Sequence, residues 1–325
     1  MTKEVTLGID IGGTNTVLGL VDCHGHCVHE ETFPTWAHES FPLFFFRLSE
    51  KINALLVRFA SDYALTGIGV AAPTGNYYRG AIESPSNFKW GNVEFVKTMQ
   101  ERYDLPIAIT NDANAAALGE MLYGEARGMQ NFIVMTLGTG VGSGIVVNGE
   151  LIYGHDGLAG ELGHTIVVPE GRQCACGRSG CLEAYVSARG MCRTVFELLA
   201  RRMEDSEFRQ ITFTDLTAEK IYESALRRDP LALAAFELTG QILGRVLADA
   251  VAYFSPEAII IFGGLARAGA LLFDPMRRHF EQNLLGVYKD KVKILPSRKS
   301  ACNIAVLGAS VLIQKELEKM GKKAA

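Results

Sequence analysis

No apolar run in this chain approaches the roughly 18 residues of a membrane-spanning helix. Its first apolar stretch is interrupted by Lys3, Glu4 and Asp10, so neither a membrane partner nor an export signal is expected. Charge of one sign is also scarce: 32 basic residues face 36 acidic ones, a net charge of −4. Without a basic surplus, nucleic acid is not an expected partner. An anionic ligand would have to be held by backbone amides and a metal ion. Neither G-x-x-x-x-G-K-[ST] nor G-x-G-x-x-G occurs at the glycine-rich turns, which argues against a P-loop and a dinucleotide fold. The seven cysteines are odd in number and clustered, which fits a reducing cytosol and metal binding better than a disulfide framework. A cytoplasmic protein is expected, and 325 residues at 48% apolar content suffice for roughly two domains.

What is present is glycine, concentrated in three turns: Asp10-Ile11-Gly12-Gly13-Thr14, Thr136-Leu137-Gly138-Thr139-Gly140-Val141-Gly142 and Phe262-Gly263-Gly264-Leu265-Ala266. Each follows an apolar, β-branched run that reads as a buried strand. Glycine at a tight turn lets backbone N–H groups approach phosphate oxygens without a Cβ in the way. At the first two turns strands enter (5–9 and 132–135) and strands leave (16–21 and 145–147), so each is a hairpin rather than a strand-to-helix loop. Aligning Gly12 with Gly138 also aligns Asp10 with Thr136, the mark of a weak internal duplication. Two related halves clasping phosphates between them is the expectation.

A cysteine cluster is the second signal. Gly160-Glu161-Leu162-Gly163-His164 is followed by Cys174-Ala175-Cys176-Gly177-Arg178-Ser179-Gly180-Cys181. One imidazole and three thiols make up a closed tetrahedral zinc site with no open position, and hence a structural Zn²⁺ on His164, Cys174, Cys176 and Cys181. Cys23-His24-Gly25-His26-Cys27 also looks metal-like, but it lies between two strand runs and reads as a plain turn. Cys192 and Cys302 sit in apolar stretches and read as core.

The third signal is Thr110-Asn111-Asp112-Ala113-Asn114. A short strand over 107–109 and a helix over 113–123 put Asp112 at a strand-to-helix junction. There it reads either as a helix cap or as an active-site carboxylate, held ionised by the helix N-terminus, and the two readings are compatible.

Taken in order, D-x-G-G-T, N-D-A-N, L-G-T-G-V-G, G-E-L-G-H, C-x-C-G-x-x-G-C-L-E and the late G-G turn resemble the ROK family of sugar kinases and repressors, from residue 5 to about 310. The resemblance implies an α/β, two-domain, actin-like or hexokinase-type (ribonuclease H-like) fold whose interdomain cleft closes over sugar and MgATP. A smaller domain of residues 1–111 plus 304–325 and a larger one of 112–303, carrying the zinc loop, are implied. Carried onto this chain, Asp112 is the general base that takes the proton of the sugar 6-hydroxyl, and Asn111 holds a neighbouring hydroxyl. Asn87, Glu161, His164 and Glu183 grip the sugar, with His164 placed between zinc and substrate. Asp10 stands near Mg²⁺; Gly12, Gly13, Thr14, Thr139 and Gly140 line the phosphates; Gly263 and Gly264 face the adenosine.

The implied activity is ATP-dependent phosphorylation of a hexose, glucose first, with N-acetylglucosamine or N-acetylmannosamine as alternatives, by a homodimer. A non-catalytic sugar sensor is the reading of another class. Only nine residues precede Asp10, too few for the DNA-binding module of the family's repressors. The chain departs from the family around Ala72–Arg79 and at Ser86-Asn87, beside the expected sugar. Phe88 and Trp90 read as packing.

Scaffold elements are also legible. Leu48, Ile52, Leu55, Leu56 and Phe59 recur at helical spacing; Asn148-Gly149 signals a two-residue hairpin. Thr217 reads as the cap of a helix to Arg228, Asp229-Pro230 opens a longer one ending before Ser255-Pro256, and 308–320 reads as a tail helix returning to the first half.

Overall fold

The computed structural model describes residues 2–85, 88–298 and 302–321. Its first half opens with an antiparallel meander of β1 (Lys3–Ile11), β2 (Asn15–Asp22) and β3 (Cys27–Pro34). Next come α1 (Phe41–Phe59), β4 (Tyr63–Ala72), a small hairpin of β5 (Gly75–Asn76) and β6 (Ala81–Ile82), α2 (Phe95–Gln100), β7 (Ile107–Asn111) and α3 (Asp112–Tyr123). The sheet order is β3-β2-β1-β4-β7, with β1, β4 and β7 parallel.

The second half repeats the plan. A meander of β8 (Phe132–Leu137), β9 (Val141–Val147) and β10 (Glu150–Leu151) leads to α4 (Glu183–Val186), α5 (Ala188–Arg201), α6 (Ala218–Leu226) and α7 (Pro230–Phe254). Then follow β11 (Ala258–Phe262), α8 (Ala270–Asn283), β12 (Lys293–Pro296) and α9 (Ile304–Lys319). This sheet is ordered β10-β9-β8-β11-β12, with β8, β11 and β12 parallel. Three antiparallel strands followed by two parallel ones, in both sheets, make the duplication structural.

Local chemistry explains the elements. Phe44, Leu48, Ile52 and Leu55 form the buried stripe of α1 against the first sheet, with Leu56 and Phe59 at its margin. Asn148 and Gly149 adopt φ of 53° and 77°, the left-handed pair of a type I′ turn. Thr217 caps α6, and the Asp229 carboxylate accepts from Leu231 and Ala232 N–H, both at 2.9 Å, with Pro230 in the first turn of α7. α7 is long and apolar enough to cross a bilayer, but 61% of its most apolar window is buried within the protein, where α8 packs along it.

α3 lies on β8 and β9, α9 lies on β1 and β4, and the two helices pack on each other between the sheets. α9 begins at Ile304, one turn before the expected 308, because Asn303 caps it through Ala305 N–H at 2.8 Å. Small residues bring the backbones together: a Cβ on Gly308 would lie 1.6 Å from Ala115 O, and one on Gly69 1.7 Å from Ala309 O. The carboxyl ends of the parallel strands carry Asp10, Asn111-Asp112, the turn after Leu137 and Gly263, the edge at which open α/β sheets hold ligands.

Candidate active site

Asp112 is the first residue of α3, directly after β7. The cap of the helix is Asn111, whose Oδ1 accepts Ala113 N–H at 2.8 Å; Asp112 Oδ1 lies 2.8 Å from the same N–H. The carboxyl of Asp112 is therefore not needed as the cap. Burial pushes it up, outweighing its hydrogen bond to Ala113 and the helix N-terminus expected to keep it ionised. Asp10, at the end of β1, is pushed up to about 7 by burial and by the charge of Asp112. Two carboxylates thus face one shared space at low dielectric, an arrangement that a divalent cation would relieve. A third residue opposes the rise: Asn303 Nδ2 donates to Asp10 Oδ2 at 3.0 Å.

The glycine turns flank this pair. In the first, Gly12 N–H donates to Asn15 O at 2.9 Å, and Thr35 fastens the turn through Gly12 O at 2.7 Å and Thr14 O at 2.9 Å, leaving Gly13 and Thr14 exposed. In the second, Gly138 N–H donates to Gly140 O at 3.0 Å, Gly142 N–H to Thr136 Oγ1 at 3.0 Å, and Val141 N–H to Glu183 Oε2 at 3.0 Å. Gly263, at φ 109°, sits over β8: a Cβ there would lie 2.4 Å from Leu137 O. Gly264 opens to free space beside it.

Glu161, His164 and Glu183 come together as expected. His164 turns Nδ1 to Cys174 Sγ at 3.7 Å and Nε2 to Glu161 Oε2 at 4.0 Å, one nitrogen toward the sulfurs and one toward the cleft. Burial raises the Glu161 carboxyl; His164 opposes this, while Asp112 and Glu183 add to it. Glu183 binds more of the protein than expected, spanning Val141 N–H and the Cys174 thiol at 3.6 Å. Asn87 lies outside the described residues.

His164, Cys174, Cys176 and Cys181 present ligand atoms all within 4.8 Å of one another. Cys176 and Cys181 sulfurs stand 3.7 Å apart, close to the roughly 3.8 Å between two thiolates at about 2.3 Å on a tetrahedral ion. The donor set and its spacing fit zinc. The loop is shaped for it by Cys174 N–H donating to Arg178 O at 2.8 Å and by left-handed Gly177 and Gly180.

Several neighbours were not legible in the sequence. A cavity lined by Thr139, Gly140, Cys174 and Glu183 is also lined by Arg189 and Arg193, which adds basic side chains beside the glycine turn; Arg193 donates to Gln173 O at 2.7 Å. Helical spacing i, i+4 on α5 was the available signal. Asn303 was missed, although Cys302-Asn303-Ile304-Ala305 echoes Thr110-Asn111-Asp112-Ala113 within the duplication. Phe88 and Trp90 pack as expected: Trp90 stacks near Phe44 and Phe88, with ring centroids 4.6 and 4.2 Å apart. In the divergent 72–79 loop, Tyr77 stacks on Tyr153 at 4.4 Å rather than facing the cleft pair.

Residues 6–316 match the ROK family. Over 290 residues the chain is 34% identical to a glucokinase of Halalkalibacterium halodurans, covering 86% of each. It is 31% identical over 321 residues to a glucokinase of Thermotoga maritima, covering 98% of this chain and 99% of that one. Among solved structures, it is similar to a ROK family glucokinase from Streptomyces griseus in complex with glucose and AMPPNP, at a TM-score of 0.79 and 29% identity, covering 95% of this chain and 98% of that one.

Proposed function

The chain belongs to the ROK family, and we propose that it is a glucokinase, transferring the γ-phosphoryl group of ATP to the 6-hydroxyl of glucose. The observation that carries this reading is the placement of Asp112 at the end of β7, opposite Asp10 and between glycine turns from both sheets. Phosphoryl transfer asks for positioning and charge neutralisation more than for covalent chemistry, and a base with two phosphate-facing turns meets that need.

Asp112 accepts the proton of the sugar 6-hydroxyl, and its burial makes it a stronger base than an exposed carboxylate. Asn111 Oδ1 is committed to the helix, so its Nδ2 is the group that would donate to a neighbouring hydroxyl. Glu161 and His164 hold the far side of the sugar, and Glu183, whose Oε2 also anchors the Gly140 turn through Val141 N–H, joins them by family likeness. Asn87 belongs to the same set by family likeness. Gly12, Gly13, Thr14, Thr139 and Gly140 receive the phosphates, and Gly263, packed close over β8, and Gly264, open to space among the described residues, face the adenosine.

Mg²⁺, held through Asp10, would neutralise charge on the transferring phosphoryl group. Zn²⁺ on His164, Cys174, Cys176 and Cys181 would order the loop that presents the imidazole, which ties the metal to the sugar site. Residues 1–111 with 304–325 and residues 112–303 form the two bodies of the cleft, with hinges near 110 and 304; the α3–α9 contact between the sheets supports this division. A cytoplasmic homodimer completes the reading, and sedimentation velocity would test the dimer.

The test is ADP release from MgATP against glucose, mannose, fructose, allose, N-acetylglucosamine and N-acetylmannosamine, with Asp112→Asn as blank. Turnover of glucose that vanishes in the variant is expected. Preference for an N-acetylated sugar would move the substrate, and binding without turnover of any sugar would favour a sensor.

A further inference from the structure

A second group of thiols lies away from the zinc loop. Cys27 opens β3, and Cys302 immediately precedes Asn303, the cap of α9. The β2–β3 pairing carries a bulge at this end, Leu20 opposing His29 but Val21 opposing Cys27. The extra residue brings Cys27 and Glu30, three apart and otherwise on opposite faces, to the same face as α9. There the ligand atoms of Cys27, Glu30 and Cys302 lie within 4.8 Å of one another. Gly19 makes room beneath them: a Cβ there would lie 3.6 Å from Cys27 Sγ and 3.7 Å from Cys302 Sγ.

We propose that Cys27 and Cys302 form a reversible redox site, closed to a disulfide by exchange with a small disulfide of the glutathione class, and that closure lowers phosphoryl transfer by displacing Asn303 from Asp10. This rests on the kinase reading above. The two thiols differ in character. Cys27 is half-buried and its acidity is increased by a hydrogen bond from Cys302, whereas Cys302 is buried and its thiol is held well above the ordinary range by that same contact and by burial. Cys27 is therefore the attacking sulfur.

Its thiolate attacks one sulfur of the small disulfide and expels one thiolate, which takes up a proton. The sulfur of Cys302 then displaces the second small thiol and gives up its own proton. The pair loses two electrons and two protons, and the small disulfide gains them as two thiols. Closing from less than 4.8 Å to a bond of about 2.05 Å moves the sulfurs by less than about 3 Å.

That movement acts on the residue before Asn303. The Asn303 side chain caps α9 through Oδ1 and holds Asp10 through Nδ2, and its backbone N–H donates to Glu30 Oε2 at 2.7 Å. Drawing Cys302 toward β3 shifts this joint, and a misplacement of about 1 Å at a catalytic group can cost 10²-fold.

The experiment equilibrates the zinc-loaded protein with glutathione and glutathione disulfide at graded ratios, reading non-reduced peptides by mass spectrometry and glucose turnover in parallel. Expected are a Cys27–Cys302 peptide pair two hydrogens lighter than its parts and a fall in kcat of at least about tenfold, reversed by dithiothreitol. Cys27→Ser, which touches no substrate group, should keep full activity under oxidation. Absence of the cross-link, or a metal on Cys27, Glu30 and Cys302 that blocks it, overturns the site. A cross-link with unchanged turnover overturns its effect. Equal loss in Cys27→Ser assigns the sensitivity to the zinc-loop thiols and overturns the proposal. A protein with no turnover when reduced would overturn the kinase reading, while the cross-link would still decide the site.

Discussion

Asn303 donates through Nδ2 to Asp10 Oδ2 at 3.0 Å, across 293 residues of sequence. The same side chain accepts Ala305 N–H at 2.8 Å, so one amide both starts α9 and steadies a carboxylate of the cleft. Its counterpart in the first half, Asn111, starts α3 beside Asp112. The duplication thus brings two capped helix N-termini to the two carboxylates.

Asn303→Asp should separate these two duties. Aspartate caps α9 as well as asparagine, so at pH 5, where Asp10 still holds its proton, Tm should change little; above about pH 7 the two facing carboxylates repel and Tm should fall. A fall in kcat of more than about tenfold, in a protein whose α9 is still capped, is expected. Asn303→Ala should lose about 1 kcal/mol of stability besides. Equal activity in Asn303→Asp and the wild type would remove the positioning role.

Asp112→Asn should lose at least about 10²-fold in kcat with little change in the KM for glucose. Steady-state kinetics decide it, and retained turnover would exclude Asp112 as the base.

Asp10 makes the apoprotein sensitive to pH. Its unfolded carboxyl releases a proton near pH 4, whereas in the fold it holds the proton up to about 7. Between these values the folded state binds more protons, so stability is present at the acid end and falls as pH rises through the window. Without Mg²⁺ at pH 8, Asp10→Asn should therefore raise Tm, by about 2 °C or more, while activity is lost. Differential scanning calorimetry at pH 5 and pH 8 checks the sign, since the gain should shrink at pH 5.

Removal of zinc should act on the sugar more than on ATP. Chelation, or Cys176→Ser, should release about one zinc per chain and raise the glucose KM by roughly 10- to 100-fold, because His164 stands between the sulfurs and Glu161. An unchanged KM in the metal-free protein would break that link.

Gly308→Val tests the helix crossing. Any Cβ there meets Ala115 O at 1.6 Å, so the α3–α9 contact must part. A loss of about 3 kcal/mol or more in urea unfolding is expected.

Motif chemistry that acts over a few residues was open to reading in the sequence. Glycine turns between β-branched runs, the Asn148-Gly149 hairpin, the Asp229-Pro230 helix start and the spacing of three cysteines with a histidine each follow from backbone sterics or ligand geometry confined to one segment. The repeated hairpins followed from those signals, and the α/β, two-domain class followed from the family likeness, which extended them across the chain. Only the tertiary structure decided what depends on segments far apart. It brought Asn303 to Asp10, set Arg189 and Arg193 beside the Gly140 turn, placed Cys27 near Cys302 through a bulge, and started α9 at Ile304. It also reversed the expectation for Asp112, since a helix N-terminus is visible in sequence whereas burial, which raises the carboxyl, is a property of everything packed around it.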